Sequence, residues 1–185
     1  MAITFIAIAF LIQFSKGKSD FLTGPKNVQG HGSQSKKKSD AFRKKGPSGS
    51  GHAKWSNTTP AINLAHVFHG EINRKGKPVG FHSRPNGSSP KGAKVVRVKD
   101  GPNKHGVYTA TIEIADGSRW KSKFSSFFPD SLTQEQVVEA ILHAYNKSNN
   151  PKKQPWRGPS GLGFDIQGYT LSKGDINTAF PIYRK

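Results

Sequence analysis

Two histidines, His66 and His82, lie sixteen residues apart in the chain, each within a short segment that contains glycine. The first segment reads HVFHGE over 66–71, and the second reads VGFHSRP over 79–85. A histidine takes up or releases a proton near neutral pH, so two histidines can supply an acid and a base in one turnover. The pair predicts cleavage of a phosphodiester by the adjacent ribose 2′-hydroxyl. One neutral imidazole would take the 2′ proton, and one imidazolium would protonate the departing 5′-oxygen.

Such a reaction gathers negative charge on a five-coordinate phosphorus, and a fixed cation beside it lowers the barrier. Two lysines are candidates for that cation. Lys121 and Lys123 alternate with Trp120, Ser122 and Phe124, so both are predicted to project from the same face of a strand.

The overall charge favours a polyanionic partner. The 185 residues include 29 Lys and Arg against 11 Asp and Glu, a formal net charge of +18. A field of this sign attracts nucleic acid or anionic lipid. A basic protein of the ribosomal type would carry the same charge without any chemistry. The chain contains no cysteine, which excludes a disulfide framework and a thiolate zinc site.

Composition divides the chain into three parts. Segment 1–14 contains an apolar run that is shorter than the roughly 20 residues that span a bilayer as a helix. The segment is interpreted as a signal, an anchor or the edge of a fragment. Segment 15–56 is rich in Gly, Ser and Lys, and its residues 15–54 contain ten Lys and Arg against two Asp, a net charge of +8. This composition predicts a disordered linker, either a spacer or a nonspecific nucleic-acid arm. Residues 57–185 are predicted to form one folded domain.

The folded part is predicted to be α+β, an antiparallel sheet with helices packed on one side. A helix is expected from Thr59-Pro60 to Gly70. A capping box at 133–136, TQEQ, predicts a second helix. Alternating apolar residues and turn signals predict four strands, two of which are joined by a hairpin turn at Asp116-Gly117; these strands lie at 106–115, 118–124, 164–171 and 176–183.

These motifs together resemble a known family. HVFHGE, followed at sixteen residues by the histidine of GFH, resembles the paired-histidine signature of the EndoU-like endoribonucleases. The resemblance continues in SSFFP at 125–129, WRGPSGLGF at 156–164 and TAFP at 178–181, and it covers 62–185. Motifs in this order are similar to the bacterial EndoU toxin domains, which are typically the C-terminal parts of secreted polymorphic or contact-dependent inhibition toxins.

The resemblance implies an activity and its partners. It implies an endoribonuclease that cleaves RNA, with transfer RNA a candidate substrate, and leaves 2′,3′-cyclic phosphate ends. The residues themselves predict a metal-independent reaction, because a lysine can supply the stabilising cation. The resemblance further implies no cofactor, a monomeric enzyme, an acidic immunity protein as partner, and no stable membrane partner for the folded domain. Such a protein is secreted or delivered into the cytoplasm of a target cell.

The resemblance also implies catalytic roles. His66 resembles the histidine given the role of acid, and His82 the one given the role of base. The family lysine lies about four residues before a serine, which favours Lys121 counted from Ser125 and leaves Lys123 as the alternative.

Three further residues are implied to bind substrate. Ser125 would lie near the base pocket. Thr178 and Phe180 resemble the family's Thr-x-Tyr pair, with phenylalanine in place of tyrosine. A phenyl ring can stack on a base or ribose but cannot donate a hydrogen bond, so a preference for uridine stays open.

Other interpretations remain at this point. His66, His69 and Glu71 could hold a metal ion, but three ligands are too few for a confident assignment, and no metal site is predicted. A catalytically silent RNA- or DNA-binding module of the same fold is the second candidate function. A basic membrane-active protein that uses 2–14 with the lysine clusters is the third. The remaining histidines are interpreted as bystanders; they are His31, His52, His105 and His143.

Overall fold

The computed structural model describes residues 53–185. The predictions for 1–14, and for the linker up to residue 52, lie outside the described residues. The described part is α+β, as predicted, with antiparallel strands and one α-helix. None of the helical segments within 53–185 has the length and apolar character needed to cross a bilayer. The elements in chain order are β1 (Glu71–Ile72), β2 (Pro78–Val79), β3 (Ala93–Asp100), β4 (Tyr108–Asp116), β5 (Arg119–Phe127), α1 (Gln134–Asn146), β6 (Trp156–Pro159), β7 (Asp165–Thr170) and β8 (Ile176–Pro181).

The strands form two three-stranded antiparallel sheets and a small ribbon. The first sheet has the order β3–β4–β5, the second has the order β6–β7–β8, and β1 pairs with β2. Each larger sheet has its own hydrophobic cluster. The cluster of the first sheet encloses Phe81, and that of the second sheet lies against α1. The segments that carry the two histidines lie next to both clusters.

The β4–β5 hairpin forms where the alternation predicts it. Asp116 pairs with Arg119 across the two-residue turn Gly117-Ser118, and the turn uses the left-handed conformation that glycine tolerates, with φ 61° at Gly117. Strand β5 continues to Phe127, three residues beyond the predicted end. The alternating apolar side chains of β4 point into the core of the first sheet; they are Tyr108, Ala110, Ile112 and Ile114.

Helix α1 begins at the predicted capping box. The Thr133 hydroxyl accepts a hydrogen bond from the Gln136 amide at 3.3 Å, and the Gln136 side chain accepts one from the Thr133 amide at 2.9 Å. The helix packs on β6 so closely that a Cβ at Gly158 would collide with the Ala144 carbonyl. Glycine is therefore required at this crossing.

Strand β3 was not predicted, and its exposure explains why. Val96 and Val98 are 53% and 46% exposed, and basic residues lie between and beside them. Because this edge strand of the sheet buries little apolar surface, it has no clear alternation of apolar and polar residues.

The helix predicted over 59–70 is wrong in its first half. Helical structure is confined to Ala65–His69, one π-helical turn. The Asn63 amide donates to the Ile176 carbonyl at 2.9 Å, and the Ile176 amide donates to the Ala61 carbonyl at 2.8 Å. Because these backbone groups pair with β8, the segment stays extended through Asn63, and helical backbone angles begin only at Leu64.

Residues that composition assigned to the linker also take part in the fold. The Lys54 carbonyl accepts a hydrogen bond from the Ala65 amide at 3.2 Å, and Trp55 forms a bridge with Asn63. The Ser56 hydroxyl accepts one from the Ile62 amide at 2.7 Å. Ordered contacts therefore begin before residue 57 and support the turn that carries His66.

Candidate active site

Backbone hydrogen bonds bring the two histidine segments together. The Phe81 amide donates to the His66 carbonyl at 2.8 Å, and the His82 amide donates to the Val67 carbonyl at 2.7 Å. The His66 and His82 ring centroids are consequently 6.4 Å apart. Both side chains are largely buried, with 7% and 8% exposed.

An unusual backbone at Gly80 and Phe81 allows this approach. Both residues have positive φ, 76° and 59°, a conformation that is costly for a residue with a bulky side chain. A Cβ at position 80 would collide with the His66 carbonyl, so this position requires glycine. Phe81 is held in this conformation by burial of its ring, which lies edge-on to Phe127 with the ring centroids 5.2 Å apart.

The partners of His82 determine which of its ring nitrogens carries the proton. Nδ1 lies 3.1 Å from the Ser126 carbonyl, which can only accept, so Nδ1 is the donor. Nδ1 is also 2.9 Å from the Ser125 hydroxyl, whose own proton is donated to the Phe81 carbonyl at 2.8 Å. Nε2 of the neutral ring therefore holds the free lone pair. Burial lowers the pKa of His82 well below its ordinary value, and the charges of Lys123 and His66 lower it further.

His66 has a different partner. Its Nδ1 lies 3.0 Å from the Glu71 carboxylate at the start of β1. Burial lowers the pKa of His66, while the hydrogen bond and the charge of Glu71 oppose that shift. Glu71 was weighed in the sequence only as a metal ligand. Its position five residues after His66, on a strand that follows a sharp turn, was the signal available for its pairing with the imidazole.

The two candidate lysines have different surroundings. Lys123 is the one beside the histidines. Its ammonium donates to the Gly80 carbonyl at 2.9 Å and lies 3.4 Å from the Ser125 hydroxyl. Burial lowers its pKa to about 8, and its charge acts on both histidines.

Lys121 lies two residues before Lys123 on β5, closer to the β4–β5 turn. Its ammonium forms an ion pair with Asp116 at 2.6 Å and donates to the Gly76 carbonyl at 2.8 Å. Its charge is therefore balanced by a carboxylate at the hairpin, whereas the Lys123 ammonium contacts neutral oxygen atoms.

Comparison with known proteins identifies the family of this chain. The family model described as bacterial EndoU nuclease matches residues 61–183, which include both histidines and both lysines. The chain belongs to the bacterial EndoU nuclease family. A curated relative, a protein named Toxin from Bacillus cereus, is 29% identical over 119 residues. The match covers 64% of this chain and 22% of the relative, so the chain spans about a fifth of that relative's length. No solved structure matches the chain.

The last hairpin of this EndoU domain completes the site. The Phe180 ring lies 5.1 Å from the His82 ring, inclined by 31°. The Thr178 hydroxyl, two residues earlier on β8, is buried without a hydrogen-bond partner among the described residues. Ser125 is 2% exposed, and its hydroxyl orients His82, a contact that no motif spacing indicated. Of the residues predicted for the site, the structure brings Lys123, Ser125 and Phe180 beside the two histidines. Lys121 contacts Asp116 and Gly76 instead, and Thr178 lies on β8, two residues before Phe180.

The metal site weighed for His66, His69 and Glu71 has no ligand cluster in this EndoU domain. Within 53–185, no three side chains of His, Cys, Asp or Glu come close enough together to hold a metal ion. The charged group beside both histidines is the Lys123 ammonium.

Proposed function

We propose that this EndoU domain is an endoribonuclease that uses the substrate's own 2′-hydroxyl as nucleophile. In this reaction the bond between the 2′-oxygen and phosphorus forms, and the bond between phosphorus and the 5′-oxygen breaks. The products are a 2′,3′-cyclic phosphate and a 5′-hydroxyl. The observation that carries the proposal is the pair of histidines with contrasting partners, 6.4 Å apart, beside one partly buried ammonium.

His82 is assigned the role of general base. Its Nδ1 proton is engaged by the Ser126 carbonyl, so Nε2 can accept the 2′ proton. Its lowered pKa keeps the imidazole neutral at pH 7. A base must be unprotonated before the reaction begins, and this environment provides that state.

His66 is assigned the role of general acid. Burial lowers the pKa of His66 as it does that of His82, but the Glu71 carboxylate opposes this shift at His66 and favours the protonated ring. An imidazolium held in this way can release its Nε2 proton to the 5′-oxygen as that oxygen departs. The contrast between a carbonyl partner for His82 and a carboxylate partner for His66 is the basis for this assignment of roles.

Lys123 is assigned the stabilisation of charge on the phosphorane oxygens. With a pKa of about 8 the amine is mostly protonated at pH 7. Its ammonium contacts the Gly80 carbonyl and the Ser125 hydroxyl, and no carboxylate within 53–185 pairs with it to cancel its charge. An ammonium already in position needs little reorganisation in the transition state.

Purified full-length chain incubated with total RNA tests the proposed reaction. Fragments are expected to carry 2′,3′-cyclic phosphate at one end and a 5′-hydroxyl at the other, and sequencing of both ends also identifies the RNA and the cleaved step. RNA that is bound but stays intact would favour the silent binding module. Fragments with 5′-phosphate ends would contradict the proposed nucleophile.

A substitution at Lys123 is expected to cost far more activity than the same substitution at Lys121. Loss of one preorganised donor to a developing anion typically lowers the rate about 10²- to 10³-fold. We therefore expect Lys123→Met to lower kcat about a hundredfold or more. Lys121→Met, on the same face of β5 but paired with Asp116, serves as the matched control and should have a small effect. The opposite ranking would return the role to Lys121, as the family spacing implied.

The biological role proposed is that of a toxin. It is supported by the bacterial EndoU family match and by the relative named Toxin. We propose RNA, with transfer RNA a candidate, in the cytoplasm of a target cell as the substrate after secretion or delivery. A cell that makes such an enzyme must neutralise it, and the charge of +18 makes an acidic immunity protein the natural partner.

A further inference from the structure

A second recess adjoins the active site on the far side of Phe180. It is a groove of about 380 Å³ between the two sheets. Strand β5 supplies Phe124 and Ser126 to one wall, and β6 and β7 supply Arg157 and Gln167 to the other. The side chains of these four residues take no part in the chemistry assigned to the histidines and Lys123; of Ser126, only the backbone carbonyl contacts His82.

Strand register explains how one wall is built. Phe180 pairs with Gln167, and Gln167 pairs with Arg157, so the three side chains form a row across one face of the second sheet. The row is held by a hydrogen bond of 2.7 Å from Arg157 Nε to the Gln167 side-chain oxygen. Arg157 at its outer end is exposed, and its bond to Gln167 uses only Nε, so its terminal nitrogens can contact a ligand.

The other wall is a matching row on the first sheet. Ser126 pairs with Thr109, and Thr109 pairs with Asp100. The Asp100 carboxylate accepts a hydrogen bond from the Thr109 hydroxyl at 2.7 Å. Asp100 and Arg157 therefore lie at the outer ends of the two rows, one on each wall of the groove, and Ser126 and Phe180 form the inner ends.

The groove is connected to the side of the active site that holds the proposed general base, His82. The backbone carbonyl of Ser126 accepts the His82 Nδ1 proton, and the Phe180 ring lies beside the His82 ring. In the proposed reaction His82 faces the nucleotide that bears the attacking 2′-oxygen. The part of the RNA strand that extends from the histidines beyond Phe180 is therefore the part on the 5′ side of the cleaved nucleotide.

The chemistry of the groove suits a nucleotide. Phe124 is 61% exposed although it is a large apolar side chain, and an exposed aromatic ring can stack on any base. Arg157 offers a guanidinium to a phosphate. The Asp100 carboxylate repels phosphate from its own end, which places the backbone of the ligand toward Arg157 and its base toward β5.

We propose that this groove binds the nucleotide on the 5′ side of the cleaved nucleotide, with Phe124 stacking on its base and Arg157 contacting its phosphate. The inference rests on the proposed function, since it assumes RNA cleavage at the histidines. It adds a binding site for one further nucleotide and makes Phe124 and Arg157 determinants of affinity for longer substrates.

Cleavage of a short substrate series by the full-length chain tests the subsite. The series consists of a dinucleotide with the preferred cleaved step, and of trinucleotides extended by one nucleotide at the 5′ or the 3′ end. The measured quantity is the gain, defined as kcat/KM for the extended substrate divided by kcat/KM for the dinucleotide. An effect of a variant on cleavage of the dinucleotide step enters both values and therefore cancels in this ratio. Wild type should gain from the 5′ nucleotide. Base–aromatic stacking of the usual strength predicts that Phe124→Ala lowers this gain by about tenfold, and Arg157→Gln should lower it severalfold.

Matched controls and the outcomes separate this inference from the proposed function. Trp120→Ala removes another exposed aromatic ring of β5, and Arg119→Gln removes another exposed cation; both should keep the 5′ gain. Melting temperatures check that all four variants fold.

If wild type gains nothing from the 5′ nucleotide, or if both Phe124→Ala and Arg157→Gln keep that gain, the subsite is overturned while the nuclease assignment stands. A wild-type chain that cleaves no substrate would overturn the proposed function and the subsite with it.

Discussion

Replacement of either His66 or His82 by alanine is expected to lower the rate of RNA cleavage at least about a hundredfold while the fold survives. Loss of a general acid or base typically costs about 10²- to 10⁴-fold in rate. His82→Ala removes the group whose Nε2 would accept the 2′ proton, and His66→Ala removes the group that would protonate the 5′-oxygen. Single-turnover cleavage of RNA at saturating enzyme measures both effects without interference from weakened binding.

A control separates this loss from a general effect of removing histidine. His143 is exposed on α1, and His143→Ala should cleave at nearly the wild-type rate. Circular dichroism should match wild type for all three variants. Melting temperatures of the two active-site variants should fall below that of wild type, because each imidazole is largely buried and hydrogen-bonded, but should stay above the assay temperature. Near wild-type cleavage by a folded His66→Ala or His82→Ala would reject the assignment of that residue.

Removal of the substrate's 2′-hydroxyl should abolish cleavage altogether. The proposed nucleophile is that oxygen, so RNA with a single 2′-deoxy substitution at the cleaved nucleotide should bind and remain whole, as should DNA. Binding should persist because contacts with the phosphate backbone do not depend on the hydroxyl. Gel electrophoresis of end-labelled oligonucleotides measures cleavage, and a filter-binding assay on the same samples measures retention. Cleavage at the substituted step would show that another nucleophile, such as water, attacks the phosphorus.

The same assay tests the role of cations. Because Lys123 is the proposed stabiliser of charge, EDTA should leave cleavage of the unmodified RNA unchanged. Loss of activity on chelation, with recovery on addition of manganese, would contradict the metal-free mechanism. His66, His69 and Glu71 would then have to be tested as ligands by the same substitutions.

Local patterns in the sequence predicted much of the fold correctly. The β4–β5 hairpin, the capping box of α1 and the last two strands depend on alternation and on turn or cap residues a few positions apart, and all of them form. The helix expected over 59–70 failed because a long-range pairing with β8 competes for its backbone groups. The sequence did not predict strand β3, because its pairing with β4 makes it a strand and its own side chains show no clear pattern.

The chemistry of the site was likewise only partly contained in the sequence. Residue types and motif order alone predicted His66 and His82 as an acid–base pair and indicated the EndoU family. The family spacing favoured Lys121 over Lys123, but the strand pattern could not test that choice, because residues two apart on a strand share a face and differ only in what lies opposite. The tertiary structure places the Gly80 carbonyl opposite Lys123, orients His82 through β5, and brings β8 against its ring. These contacts join segments far apart in the chain, and their register depends on how the strands pair, which no local pattern specifies.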